Sequence, residues 1–447
     1  MIRLCLGALI IIARLAGAQP AARELVVDQR GSLTTITEAL ATARGGDRIV
    51  VRPGLYREPT LLVKKRLTIA GDSGAILDGE DSHAIMIVDA DSVTIRGFTF
   101  RATGSSQVED RAALLVRDAR GCRIEKNDLR DTYFGIYLQR VRDCEVRDNT
   151  LHGPVRRHTL GGNGIHVWQS DSVTVSNNRV RGHRDGIYFE FVTHGDVRDN
   201  VSESNQRYGL HFMFSDDCTY RDNAFLANES GVAVMYTRRV KMIGNTFAEN
   251  WGGAAYGLLL KDITDSEIRD NRFIANTVGL YMEGANRNVV AANLFEANGW
   301  GLRILANAQE NRVEENTFAR NSFDVGTNSR QNFSTFSGNY WDRYRGYDLD
   351  RDGFGDVPFA PVRLFALVVE QTPAALILLR SAMVDLLDFA ERVMPVLTPQ
   401  TLIDARPRMR AEGKGQRAKG GAMAAESRVT RHESRRSNVA AAGRERR

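Results

Sequence analysis

Residues 209–225 read GLHFMFSDDCTYRDNAF. A glycine opens the run, large side chains alternate behind it, and an Asn two residues before an aromatic closes it. The same pattern returns along the chain. Asn recurs at 127, 149, 178, 200, 223, 245, 271, 293, 316 and 339, and a Gly keeps pace at 135, 164, 186, 209, 231, 257, 279 and 301. Two residues after the Asn stands an apolar side chain, such as Leu129, Val180, Phe225, Phe273 or Trp341. Three residues before it stand Ile124, Val146, Val175, Val197, Tyr220, Met242, Ile268, Val290 and Val313. These are columns of inward-facing residues on short strands of period two.

One such repeat cannot bury its own apolar face, so successive copies must stack. A leucine-rich repeat has a similar period but requires L-x-x-L-x-L-x-x-N and a helical return arm, and neither is present. Mixed Val, Ile and Phe columns between polar turns instead give an all-β chain, a right-handed parallel β-helix. It should have about twelve coils of 22–23 residues each, with the Asn column as a ladder of stacked amides. Its open ends need covers. At the front, Ile36, Ala39, Leu40 and Ala43 share one face of a cap helix over 34–43. At the rear the repeat stops at Trp341. The chain accordingly divides into a signal peptide (1–18), the β-helix (24–345), a C-terminal extension (346–410) and a basic tail (411–447) expected to be disordered.

Alternation also identifies an outward strip. After each repeat Gly the first and third residues point inward, so the second and fourth point out. Along the coils these read Tyr137 and Gln139, His166 and Trp168, Tyr188 and Glu190, His211 and Met213, Ala233 and Met235. They continue with Leu259 and Lys261, Tyr281 and Glu283, Arg303 and Leu305. Two longer arms, from Asn149 to Gly164 and from Asn245 to Gly257, emerge just before the strip and are placed to wall a cleft. Met213 and Met235 hold the same position one coil apart, roughly 5 Å between backbones. Two thioethers with the His211 imidazole make a soft donor set suited to Cu(I), with His166 and Glu190 nearby. The alternative is an aromatic and methionine surface that contacts a partner protein.

Cys122, Cys144 and Cys218 occupy an inward column otherwise holding Val93, Val173 and Val240, so they read as small buried residues. Cys122 and Cys144 are on adjacent coils, within bridging range. A carbohydrate-active enzyme is the rival function class: a secreted polysaccharide-binding protein or a uronic-acid lyase or epimerase. The chain has neither the Gly-His-Gly of polygalacturonases nor the Asp-Pro-His-Asp of alginate epimerases. Its strip carboxylates Glu190 and Glu283 lie four coils apart, about 19 Å, too far to flank one glycosidic bond.

The first eighteen residues carry Arg3, an apolar stretch from Leu4 to Leu15 and Ala16-Gly17-Ala18, a secretory signal with A-x-A cleavage. Arg14 interrupts the apolar stretch and leaves a retained anchor as the alternative. The net charge of +5 misleads, because residues 411–447 hold ten Lys/Arg against four Glu and leave the body near −1. Nothing in that body calls for nucleic acid.

In the extension, Asp348, Asp350, Asp352 and Gly353 match the start of an EF-hand loop. Phe359 replaces the Glu at its twelfth position, so a carboxylate-rich turn competes with a calcium site. Thr372 and Pro373 suggest an N-cap and first turn for one helix running to Val393. Its stripe of Leu376, Leu379, Met383 and Leu386 reads as a cap on the rear of the rod, and Leu387 and Phe389 widen it. That suggests a second surface, for a partner or a membrane interface.

The chain resembles the NosD family in GNYWDRYRGYDLDRDGFGDVPFAPVRLF (Gly338 to Phe365), LLRSAMVDLLDFAERVMP and TPQTLIDARPRMR (Thr398 to Arg410), and also in GLHFMF and GVAVMYT. The resemblance covers about residues 24–410. It implies a periplasmic, non-catalytic β-helix subunit that docks on an ABC permease and its ATPase. That assembly helps build the copper–sulfur cluster of nitrous-oxide reductase, and a lipoprotein copper chaperone delivers Cu(I). The resemblance fixes no copper ligands. The basic tail departs from the family pattern.

Overall fold

The computed structural model describes residues 23–410, apart from 107, 155–160, 330–331, 380 and 395–401. The signal peptide and the basic tail expected from the sequence lie outside the described residues. The rest is a right-handed parallel β-helix of about 13 turns. Three parallel sheets of 14, 12 and 13 strands form its walls, and each strand inside a sheet pairs with its equivalents in the coils before and after.

The columns account for this architecture. Val197, Tyr220, Met242 and Ile268 are successive register partners with fully buried side chains. Phe247, Phe273, Phe295, Phe318 and Trp341 stack ring on ring at 4.8, 4.7, 4.7 and 4.3 Å. Parallel in-register strands repeat every ~4.8 Å, which is the spacing planar rings need to stack. The helical return arms of a leucine-rich repeat have no counterpart among the described residues, few of which are helical.

The Asn column is a continuous ladder. Asn127 Nδ2 donates to Asn149 Oδ1 at 3.0 Å, and the same bond repeats down to Asn316 and Asn339. Each accepting oxygen also takes the backbone N–H of the donating Asn, so the turn's buried polar groups are paired. The ladder ends on Asp404, which accepts from the Asn339 backbone, Asn339 Nδ2 and Trp341 Nε1 at 3.0, 3.0 and 3.1 Å. A second ladder was not anticipated. It runs Asn205, Asn228, Asn250, Asn276, Asn298 and Asn321, and it ends on Asp324.

Both ends are closed. At the front, the helix Ile36–Thr42 buries Ile36, Ala39 and Leu40, with Thr35 and Glu38 forming a capping box. At the rear, residues 402–408 fold across the last coil, and Phe359 packs on Trp341 at 5.4 Å. This return segment covers strand edges that would otherwise pair with another chain.

The C-terminal helical region differs from the single helix expected. Leu364–Gln371 is itself helical, Pro373–Leu378 is a 3-10 turn, and Ala382–Val393 is a separate α-helix. Thr372 makes no side-chain cap bond, and Ser381 takes an extended conformation between the two pieces. The break has a packing cause. Phe365, Ala366, Val369 and Val384 meet over Trp300 and Phe323, and one straight helix cannot return Val384 to that cluster. Arg303 clamps the first helix to the rod through Glu370 at 2.6 and 2.7 Å.

Cys122, Cys144 and Cys218 are buried and unbridged. The Cys122 backbone N–H donates to Cys144 Sγ at 3.2 Å, so these two do meet on adjacent coils.

Candidate functional site

The outward strip lies on the 12-stranded sheet, and its two rows differ. In the first row Tyr137, His166, Tyr188, His211 and Ala233 are successive register partners. Their rings stack into one column: Tyr137 on His166 at 4.4 Å, His166 on Tyr188 at 4.8 Å, Tyr188 on His211 at 4.8 Å. Tyr208, on the same strand, also packs against the His211 ring at 4.9 Å. His166 is therefore only 9% exposed and His211 only 4%. This row was expected to be open; stacking closes it. Burial holds the His166 imidazole down at about 3, and both its ring nitrogens lack a hydrogen-bond partner.

The second row stays half-exposed. It runs Gln139, Trp168, Glu190, Met213, Met235, Lys261 and Glu283 in register. Glu190 and Glu283 are thus four coils apart, and Glu283 faces Lys261 at 3.7 Å. Tyr188 links the rows by donating its hydroxyl to Met213 Sδ at 3.5 Å. Burial, reinforced by Glu190 and Asp185, pushes that hydroxyl's pKa up, so it stays a neutral donor.

Beside His211 sits a buried ion pair that the strip reading missed. Asp185 is fully buried and takes Arg207 Nε at 2.8 Å. Burial alone would raise its pKa, but bonding from His211 and Arg207 outweighs that and holds it at about 2. His211 Nδ1 lies 3.2 Å from Arg207 Nη2 and 3.6 Å from Asp185 Oδ2, whereas His211 Nε2 is buried without a partner. Asp185 immediately precedes a repeat Gly, and Arg207 stands two before the next. An acid just before one repeat Gly and an Arg just before the next were the available signal.

The structure brings His211, Met213 and Met235 onto adjacent coils, with Glu190 in register against Met213. It separates His166 from His211 by the thickness of the Tyr188 ring, so one ion cannot take both imidazoles. Described parts of the two long arms adjoin this region: Gln206 Nε2 donates to Pro154 O at 3.5 Å, and Ser230, in register with Tyr208, donates its hydroxyl to Ala254 O at 3.2 Å.

Asp348, Asp350 and Asp352 bring carboxylate oxygens within 4.8 Å of one another. Their oxygens also serve the turn. Asp348 accepts from the Gly353 N–H at 3.0 Å, Asp350 from Asp352 at 3.2 Å, and Asp352 from Phe354 and Arg406, each at 2.8 Å. On the helical region, Leu376, Met383, Leu386 and Phe389 are exposed, whereas Leu379 and Leu387 are drawn onto the packed cluster. No helix among the described residues is long and apolar enough to cross a membrane.

Fold and strip together define a class: a parallel β-helix whose outward sheet carries soft and aromatic side chains. Comparison narrows that class. Residues 152–346 match the family model described as periplasmic copper-binding protein (NosD), and residues 28–238 match a family described as a protein of unknown function. A Pseudomonas aeruginosa protein named probable ABC transporter binding protein NosD is 29% identical over 87% of this chain and 97% of its own length. Its Stutzerimonas stutzeri namesake is 27% identical, over 78% and 84%. Together these matches support membership of the NosD family.

Solved structures share the fold alone. A Yersinia enterocolitica family 28 exopolygalacturonase gives a TM-score of 0.51 at 11% identity, over 72% of this chain and 79% of that one. The catalytic domain of a GH87 α-1,3-glucanase gives 0.53 at 11%, over 72% and 70%.

Proposed function

We propose that this chain is a non-catalytic, copper-handling β-helix of the periplasm that receives Cu(I) on the His211, Met213 and Met235 face. In this reading it docks through its C-terminal helices on an ABC-type permease and ATPase. The assembly then assists formation of the copper–sulfur cluster of nitrous-oxide reductase, with Cu(I) supplied by a lipoprotein chaperone. The family description supports copper and the periplasm, and the relatives' name supports a transporter partner.

The observation that carries the copper step is the unpartnered, buried Nε2 of His211 beside the Met213 and Met235 pair. His211 Nδ1 lies 3.2 Å from the donor-only guanidinium of Arg207 and 3.6 Å from Asp185 Oδ2; a proton moved to Nδ1 and held by Asp185 would free the Nε2 lone pair for a metal. An imidazole and two thioethers suit a soft monovalent ion. Cu(I) is the cargo in this reading, and Glu190 would face it from the preceding coil. Leu376, Met383, Leu386 and Phe389 are exposed apolar side chains free for the permease.

An anaerobic Cu(I) competition titration tests the metal step. Wild type should bind about one equivalent, and a folded His211→Ala, Met213→Ala, Met235→Ala variant should lose at least tenfold in affinity, about 1.4 kcal/mol. Equal affinity in the two would sink the assignment. Co-purification of Met383→Asp, Leu386→Asp, Phe389→Asp with permease and ATPase tests the docking step, and undiminished capture would refute it.

A further inference from the structure

The corner that follows the strip carries an aromatic ladder that neither the fold nor the copper ligands require. Phe191, Phe214 and Tyr236 directly follow Glu190, Met213 and Met235, and they remain 46, 42 and 42% exposed. Their rings stack face to face at 5.1 and 5.2 Å, tilted by only 8° and 14°. All three sit in the left-handed backbone region, at φ 55, 49 and 54°. The fold imposes that conformation on this corner in coil after coil. The equivalent residues before and after are Asp118, Arg140, Gln169, Asp262 and Gly284, all at positive φ. Polar side chains or Gly occupy those positions, whereas Phe and Tyr are disfavoured there. Among the described residues no other Phe or Tyr has a positive φ. Large apolar rings at exposed, disfavoured positions are an outlier of the kind that marks a site.

The ring orientation says what the ladder fits. Each inner face is covered by the neighbouring ring, so the row presents ring edges outward. Sugar binding by aromatic stacking uses open faces, which a stacked row does not offer along its length. Ring edges carry positive partial charge and are the preferred seat of thioether sulfur. The neighbouring charges neutralise one another: Arg142 with Asp171 at 3.0 Å, Arg238 with Asp216 at 2.9 Å, Arg239 with Asp217 at 2.5 Å. An apolar ridge between self-paired charges selects a neutral partner. Its rings continue, residue by residue, from Met213 and Met235.

We infer that Phe191, Phe214 and Tyr236 form the docking ridge for a protein that carries Cu(I) on methionine thioethers and hands it to the adjacent Met213 and Met235. This rests on the copper reading above. Transfer between thioethers proceeds by ligand exchange with no change of oxidation state. One donor thioether–copper bond breaks as one to Met213 or Met235 forms, so the donor surface must cover the residues beside the acceptors.

The test uses Phe191→Asn, Phe214→Asn, Tyr236→Asn in the full mature chain, because Asn tolerates the left-handed region and keeps the fold. The probe is a Cu(I)-loaded peptide with Met-x-x-Met repeats, paired with the same peptide carrying norleucine. Wild type should bind the methionine peptide at least tenfold more tightly than the variant and several-fold more tightly than the norleucine peptide. Its affinity for Cu(I) in chelator competition should be unchanged in the variant. Equal peptide binding by wild type and variant overturns the ridge, as does equal binding of the two peptides. Loss of chelator-measured affinity in the variant also overturns it, by making the rings part of the metal site. Should wild type bind no Cu(I) yet bind copper-free methionine peptide through the ridge, the copper reading fails and the ridge stands as a thioether-binding surface.

Discussion

At the residue scale, the buried histidines give the rod a pH dependence. His166 is held near pKa 3 by burial, with Arg184 adding to the effect, against about 6.5 in an unfolded chain. Its folded pKa is lowered, so the unfolded chain binds the extra proton between those values. The stability contributed by the neutral ring is complete above about pH 6.5 and is lost as pH falls toward 3. Between pH 7 and 5 this amounts to about 2 kcal/mol for one such group. His166→Phe keeps a ring between Tyr137 and Tyr188 but removes the proton site. Urea unfolding at pH 7 and pH 5 should therefore show the variant losing about 2 kcal/mol less than wild type. An unchanged pH slope would mean that His166 does not titrate as a buried group. Such behaviour was only half legible in the sequence. Alternation correctly put His166 and His211 on the outer face, but it could not show that Tyr137, Tyr188 and Tyr208 would close over them. Periodicity gives the side of the wall, whereas burial depends on what stacks from the coils above and below.

At the element scale, both amide ladders end on a carboxylate, and the two ends differ. Asp404 is fully buried but meets the Asn339 N–H, Asn339 Nδ2 and Trp341 Nε1 together. Asp324 is buried with one bond, from Asn321 Nδ2 at 3.2 Å, and burial pushes its pKa up to about 6. A carboxyl raised in the folded state contributes stability that is complete below about pH 4 and lost as pH rises through 6. Asp324→Asn supplies the same acceptor without the charge. It should stabilise the protein at pH 7.5 by up to about 3 kcal/mol, and the gain should vanish at pH 4. A melting temperature unchanged at pH 7.5 would show that nearby Arg343 already compensates the charge. The first ladder was readable because its Asn stands beside a strict apolar column. The second was hidden, since Asn205, Asn228, Asn250, Asn276, Asn298 and Asn321 follow their strands at the more variable arm where the insertions fall. Asp404 was in view inside the TPQTLIDARPRMR segment, but no local pattern says that a residue 65 positions beyond Asn339 completes its ladder. The broken C-terminal helix was illegible for a similar reason: Thr372-Pro373 is a sound local start signal, overruled by the distant cluster on Trp300 and Phe323.

At the scale of the whole molecule, a solenoid is a stack of nearest-neighbour interfaces, so its stability and solubility are decided at its ends. The rear end is closed by a segment that leaves the rod after Trp341 and returns at 402–408, where Asp404 bridges to Phe336 and to Phe359 and Arg408 bridges to Tyr340. Without that segment the strands Thr335–Ser337 and Tyr340–Trp341 present free edges, and Trp341, now 1% exposed, presents a ring face. Deleting everything after residue 345 should leave far-UV circular dichroism dominated by β-structure while the chain associates in size-exclusion chromatography, because an uncapped parallel edge pairs with its like. Asp404→Ala separates the two contributions of the cap. It keeps the covering segment but strips the acceptor from Asn339 and Trp341, a cost on the order of 1–3 kcal/mol for each buried donor left unpaired. That variant should stay monomeric and melt earlier, with the loss confined to the rear coils in hydrogen exchange. If instead it associates as the truncation does, the ladder terminus rather than the covering chain is what keeps the rod from growing end to end.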